Sequence, residues 1–415
     1  MKKEFSIIGG GIIGCLTALY LKKKGHDVNI FEKKDKLGGV LNDYLHEDSI
    51  YFRGCQYLNA DTNWFKVLEN IVPNNLKKFK YNYASVTDLN KKINYSDKFS
   101  IPVLDIGKIN ENNFFETNKS FLSLEDKINL YPLKAQTLLK KFLKNCQIQG
   151  KKFPGSNTDS LQISRVYFLN NDEKVIKLKK KKIFDKILAL ERNKIFKKDL
   201  EYSLPTKGYN SFFEQLLKKL REKKINIFLK SNIVTKWENR KLQIYKENEK
   251  ITQDYIFWSG NPTSLIYQFN STKLESYVFK NIQINADLKK TIKKNMFIQF
   301  FSKRSKILRV NLYKINNKSK ISIECLFNKI DPVDIIHETS EHLKRFGLNI
   351  DVISNTINKK INSRFDIFTS NDQYNIDKFL TSTKNTNLLY SPWLIYGREN
   401  KINLILNNLK KKNLI

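Results

Sequence analysis

The first pattern along the chain is a short apolar run, Phe5-Ser-Ile-Ile8, which enters a cluster of glycines. A helical stretch ending in lysines follows, then a second apolar run, Val28-Asn-Ile-Phe31. Short apolar runs bounded by glycine read as buried strands, so the opening of the chain predicts a strand–helix–strand unit. Gly25, behind the lysines at 22 to 24, is placed as the helix C-cap. Further along, Leu124, Ile128, Leu130, Leu133, Leu138, Leu139, Phe142 and Leu143 recur at mixed three- and four-residue spacing. They predict helices with one buried face between Leu122 and Cys146, with Pro132 breaking or starting one of them. A helix is expected up to Lys223, a strand over 225–230, and a small hairpin from 241–245 and 251–254. Segments 296–301, 307–313 and 320–327 read as successive strands, partly alternating. Asp331-Pro332 opens a helix with Asp as N-cap and Pro at the first position; its apolar face is Val333, Ile336, Leu343 and Phe346, and Gly347 ends it. A helix over 400–412 closes the chain.

The glycines give the opening unit its chemistry. Gly9, Gly11 and Gly14 hold the first, third and sixth positions of G-x-G-x-x-G. Gly9 meets the tight turn, Gly11 lets backbone approach a pyrophosphate, and Gly14 lets the helix pack closely on the strand. The helix start presents free N–H groups and a partial positive charge to phosphate. The second strand ends at Glu32, where a carboxylate can accept both hydroxyls of a ribose. Strand, glycine turn, helix, strand and terminal acid occur in order, which points to a dinucleotide site.

Glu32 followed by Gly38-Gly39 (E-x-x-x-x-x-G-G) resembles the extended N-terminal signature of FAD-binding proteins of the amine oxidase and protoporphyrinogen oxidase type. That group includes phytoene desaturases and UDP-galactopyranose mutases. The resemblance implies FAD rather than NAD, with Gly9, Gly11, Ile12, Ile13, Gly14, Glu32, Lys33, Gly38, Gly39, Val234 and Asn400 as cofactor-binding residues. It implies an α/β fold: a Rossmann-like FAD-binding domain of three-layer ββα architecture with an interleaved α+β substrate domain. The FAD-binding domain would comprise residues 1–62, 201–270 and 371–415, and the substrate domain residues 63–200 and 271–370.

Later segments carry the resemblance unevenly. Tyr51 to Leu58 is similar to F-D-x-G-x-Q/H, where relatives run beneath the flavin; Gly54 and Gln56 fit, and Arg53 departs from the pattern. Pro205, Gly208 and the segment leading to Val234 resemble the part whose valine backbone meets adenine. Tyr255 to Pro262 resembles the strand and turn D-x-V-I-x-T-x-P that closes the sheet. Near the C-terminus, Ser391-Pro392 stands where relatives carry Gly-Asp, before a helix aimed at the flavin.

The activity implied is that of an FAD-dependent oxidoreductase taking a hydride from a small organic substrate. Two other readings stay open. A flavin-dependent nucleotide-sugar mutase is suggested by P-x-x-G-Y-x-x-F-F over 205–213, by Ser259-Gly260 and by a helix opened by Asn400; the arginines that clamp diphosphate in that family are not placed, with Arg398 and Arg364 the candidates. A degenerate flavoprotein acting as a binding protein is suggested by Ser391-Pro392. No catalytic residue is singled out among so many lysines.

Composition narrows the setting. With 415 residues the chain can bury two sizeable cores. Its 4 cysteines are widely spaced and form no C-x-x-C pair, which argues against a disulfide or metal framework. His337 and His342, five apart on one helix, do not make a metal pair and are expected at the surface. The net charge of +34 is spread as lysine along the chain with little arginine, so a nucleic-acid partner is not inferred. Weak contact with an anionic membrane surface fits that charge. The lysine run 177–182 reads as a solvated face. No apolar run reaches the roughly 20 residues needed to span a bilayer. A strand directly after Met1 makes a cleaved leader unexpected, and cytoplasm is the expected location.

Overall fold

The computed structural model describes residues 1–54, 56–80, 82–89, 92–96, 101–102, 123–129, 133–155, 166–167, 180, 201–302, 304–395 and 397–415. Two sheets organise it. The first is built from β1 (Glu4–Ile8) and β2 (Asp27–Phe31), joined by helix α1 (Ile12–Lys23), and from three strands far along the chain. Numbering the described strands in chain order, these are β12 (Asn226–Phe228), β16 (Tyr255–Trp258) and β22 (Leu388–Tyr390). Their order is β12-β2-β1-β16-β22, and every pair is parallel.

Alternation along these strands decides the layering. Phe5, Ile7, Val28, Ile30, Phe257 and Leu389 point to one core together with α1, helix α5 (Gly208–Glu222) and helix α9 (Arg398–Lys411). Phe31, Ile256 and Leu388 point to the opposite core. That side is covered by Leu242 and Ile244 of an antiparallel meander, β13 (Ile233–Glu238), β14 (Lys241–Lys246) and β15 (Glu249–Ile251). Helices, parallel sheet and meander are the three layers expected from the sequence.

The second sheet has seven strands in the order β21-β17-β20-β19-β18-β7-β8. They are β7 (Asn82–Leu89), β8 (Lys92–Ser96), β17 (Tyr277–Asp287), β18 (Met296–Phe301), β19 (Ile307–Ile315), β20 (Lys318–Leu326) and β21 (Asn358–Ile367). Only β18–β7 is parallel. One face is apolar: Ile282, Ile284, Val310, Leu312, Ile321 and Ile323 pack under Ile335, Ile336 and Leu343 of helix α7 (Pro332–Lys344). The other face is polar yet buried, carrying Asn281, Gln283, Asn285, Arg309, Ser322 and Glu324. It faces residues 52–54: Gln283 Nε2 donates to the Phe52 carbonyl at 2.6 Å, and Tyr313 accepts the Phe52 N–H at 3.2 Å. Gly54 lies against the Glu324 carboxylate with no room for a Cβ.

Several expectations need correction. Helices Leu124–Asn129 and Leu133–Asn145 form, with Leu138, Leu139, Phe142 and Leu143 buried, but Leu133 is 76% exposed at the start of its helix. Asp331 caps α7 as expected, accepting the Val333 N–H at 2.7 Å. Yet Val333 is exposed and Ile335 is buried, because the face that packs inward carries Ile335, Ile336, Thr339, His342 and Leu343. His342 is buried rather than at the surface. Its Nδ1 shares a 2.9 Å hydrogen bond with the Tyr95 hydroxyl, and its ring stands edge-on to Phe300 at 5.1 Å. Leu122, Leu130, Pro132 and, except for exposed Lys180, the lysine run 177–182 lie outside the described residues, as does the side chain of Arg364.

Candidate dinucleotide site

The site lies at the ends of β1 and β2, where α1 begins. Gly9 has φ +107°, a conformation that glycine adopts without strain, and its N–H reaches the Phe31 carbonyl at 2.8 Å. Ser259, just after β16, fills the space a side chain on Gly9 would need; its Oγ donates to the carbonyls of Ile8 and Gly9 at 2.9 and 3.1 Å. Gly14 presses on the Gly9 carbonyl, so α1 sits tight on β1. At Gly11, by contrast, an added Cβ would meet nothing within 4 Å. Gly11 is the N-cap of α1 and no side chain caps the helix, which leaves the N–H groups of its first turn, at Ile12 and Ile13, without a side-chain partner.

Glu32 sits at the rim of that space with its carboxylate buried and oriented. Oε2 accepts the Gly10 N–H at 2.7 Å and Oε1 the Lys34 N–H at 2.9 Å. Each oxygen keeps a further lone pair for a hydroxyl donor. The second glycine pair comes to the same place. Gly38 N–H donates to the Gly10 carbonyl at 3.0 Å, Gly38 bridges Gly11 in parallel, and a Cβ on Gly39 would stand 3.6 Å from the Gly11 Cα. Leu37 covers Gly10 from above. Lys33 is exposed.

The remaining expected residues enter from distant segments. Ser231 N–H donates to the Glu32 carbonyl at 2.9 Å, bringing the start of β13 beside the rim; Val234 follows with its side chain 48% exposed. Asn400 is exposed on the first turn of α9. In that turn Arg398 donates to the Tyr57 carbonyl at 3.0 Å and to Gln56 Oε1 at 3.1 Å, while Gln56 Nε2 donates to the Arg53 carbonyl at 3.1 Å. The segment after Gly54 is thus clamped to the C-terminal helix. Lys401, one residue beyond Asn400, has its ammonium pKa lowered by burial.

The sequence places Ser259 in the closing segment, Gln56 in the F-D-x-G-x-Q/H-like segment and Arg398 among the candidate diphosphate ligands of the mutase reading, but it pairs neither Ser259 with Gly9 nor Arg398 with Gln56. Nothing in the sequence marks Asp43. It caps α5 from outside: Oδ2 accepts the Asn210 N–H at 2.8 Å, and its own N–H donates to Asn210 Oδ1 at 3.2 Å. Burial raises its carboxyl pKa to about 6.

The opening unit and the fold have counterparts in known proteins. Residues 7–71 match the NAD(P)-binding Rossmann-like domain family. The 4,4'-diapolycopen-4-al dehydrogenase of Metabacillus indicus is 55% identical over 38 residues, which is 9% of this chain and 8% of that protein. The 1-hydroxycarotenoid 3,4-desaturase of Flavobacterium sp. (strain P99-3) is 57% identical over 42 residues, 10% of this chain and 8% of that protein. These matches therefore cover less than a tenth of the curated relatives. Solved structures extend the likeness over the whole chain. Reduced UDP-galactopyranose mutase superposes with a TM-score of 0.65 at 13% identity, covering 99% of this chain and 94% of that one. Putrescine oxidase bound to putrescine superposes with a TM-score of 0.60 at 10% identity, covering 100% of both. The chain shares their fold. Among the described residues, no helix is long and apolar enough to cross a membrane.

Proposed function

We propose that the chain is an FAD-dependent oxidoreductase of the amine oxidase-like group, taking a hydride from a small organic substrate. The observation that carries this is the oriented Glu32 carboxylate beside the open space over Gly11. A dinucleotide needs these two features together, and the extended Gly38-Gly39 contact favours FAD over NAD. Segments 1–62, 201–270 and 371–415 build the cofactor half in this reading, since together they supply all five parallel strands. Segments 63–200 and 271–370 build the substrate half.

The roles of the residues follow from their chemistry. Glu32 accepts the ribose hydroxyls, and Lys33 flanks them from the surface. Gly11, Ile12, Ile13 and Gly14 bring the α1 N–H groups and helix dipole to the pyrophosphate, with Gly9 holding the turn. Gly38 and Gly39 offer backbone to the same region, the Val234 backbone meets the adenine, and Asn400 approaches from the first turn of α9. Bound FAD supplies a hydride acceptor at its N5, so the protein's share is position, electrostatics and exclusion of water.

The second reading, a nucleotide-sugar mutase, is favoured by the near-complete superposition on UDP-galactopyranose mutase. The buried Tyr209, Phe212 and Phe213 of the P-x-x-G-Y-x-x-F-F run add to it. Purified chain should be yellow and release flavin on heating. Anaerobic bleaching by a substrate supports the oxidoreductase, and turnover of a nucleotide sugar only after dithionite reduction supports the mutase. A colourless protein that takes up no added FAD overturns both.

A further inference from the structure

At the edge of the parallel sheet opposite the glycine turn, the starts of β1, β16 and β22 and the β14–β15 hairpin frame a cleft of about 410 Å³. Three lysines line it, Lys3, Lys241 and Lys250, against one acidic residue, Asp254. The carboxylate is already engaged: Oδ2 accepts the Glu4 N–H at 2.8 Å, and Oδ1 lies 3.8 Å from Lys3 Nζ. Lys250 is held by Glu238 at 2.9 Å. Lys241 is paired through its backbone with Glu238, but its ammonium has no ion-pair or hydrogen-bond partner among the described residues. Gln253 lines the same cleft, and both its Nε2 and its Oε1 are buried without a hydrogen-bond partner. A buried amide with neither end paired is costly, and a ligand that pairs both ends recovers that cost.

Those requirements define a chemistry. Lys241 and Gln253 Nε2 call for anionic oxygen, while Gln253 Oε1 calls for a hydroxyl donor beside it. We propose that this cleft binds a phosphate carrying a hydroxylated substituent, of the glycerol phosphate kind, with Lys241 taking the charge and Gln253 reading the hydroxyl. The phosphate can belong to a lipid headgroup or to a free metabolite. The site is separate from the dinucleotide edge and does not depend on the reading of that edge.

The test uses the full chain with excess FAD, so that the glycine turn does not account for any phosphate bound. Glycerol 3-phosphate and inorganic phosphate are titrated calorimetrically, and vesicles of phosphatidylglycerol or phosphatidylcholine are co-sedimented. Saturable binding is expected, weakened about tenfold in Lys241→Gln through loss of one charge-assisted contact. Gln253→Leu removes only the unpaired amide, so it should fold, keep inorganic phosphate binding and lose the preference for glycerol 3-phosphate. Binding to phosphatidylglycerol vesicles without binding to glycerol 3-phosphate identifies a headgroup; the converse identifies a metabolite. No saturable binding to any probe, or binding that neither substitution alters, overturns the proposal.

Discussion

Glu324 receives Arg309 across two neighbouring strands of the seven-stranded sheet. Nη2 and Nε of Arg309 donate to the same carboxylate oxygen at 2.7 and 3.1 Å, and Asn281 Nδ2 adds a third donor to it at 2.8 Å. Both members of the pair are buried, under a loop in which Gly54 leaves room for the carboxylate. The cluster therefore ties the floor of the second sheet to the segment that Arg398 clamps from the other side.

Removing one partner strands the other. Arg309→Met should lower unfolding free energy by about 3–5 kcal/mol in urea titration, because Glu324 keeps a buried charge. Arg309→Met with Glu324→Leu should recover most of that loss. Equal loss in both variants would mean that packing, rather than charge, holds this region.

Two glycines of the turn should separate by experiment. Gly14→Ala collides with the Gly9 carbonyl and should destabilise the fold by about 1–3 kcal/mol. Gly11→Ala meets no protein atom within 4 Å and should melt like the parent. Its FAD affinity should nonetheless fall by about tenfold or more, since the methyl group projects where phosphate approaches. Thermal melts and flavin fluorescence titration check both.

Glu32→Ala should weaken FAD binding by about 1–3 kcal/mol through lost charge-assisted hydrogen bonds, measured by flavin fluorescence quenching. Glu32→Gln should lose less, because one amide oxygen still accepts a backbone N–H.

Asp43 gives a pH dependence. Its carboxyl is raised by burial from 3.8 to about 6 in the fold. Both states are protonated at the acid end; as pH rises between these values the unfolded chain ionises first, so stability falls and levels off above about pH 6. Asp43→Asn keeps an acceptor for the Asn210 N–H and removes the ionisation. Its stability relative to the parent should rise by an amount on the order of 2–3 kcal/mol between pH 4 and pH 7, read from urea unfolding at each pH.

The three-layer class came from the family resemblance; the sequence by itself determined the opening unit and pointed to its dinucleotide chemistry. These rest on local rules: strand runs, glycine spacing, and an acid at a fixed distance in a β-α-β unit. It also placed the β18–β20 strands and the Asp331 cap within a residue or a few, because alternation and capping are written in neighbouring positions. Only the tertiary structure decided which surfaces were covered. Leu133 and Val333 sit on helical repeats but point outward, and His342 points inward, because a helix's buried face depends on what it docks against. The contacts that finish the site join Ser259 to Gly9, Arg398 to Gln56 and Asp43 to Asn210. Each links residues more than 160 positions apart, and no local period encodes such a meeting.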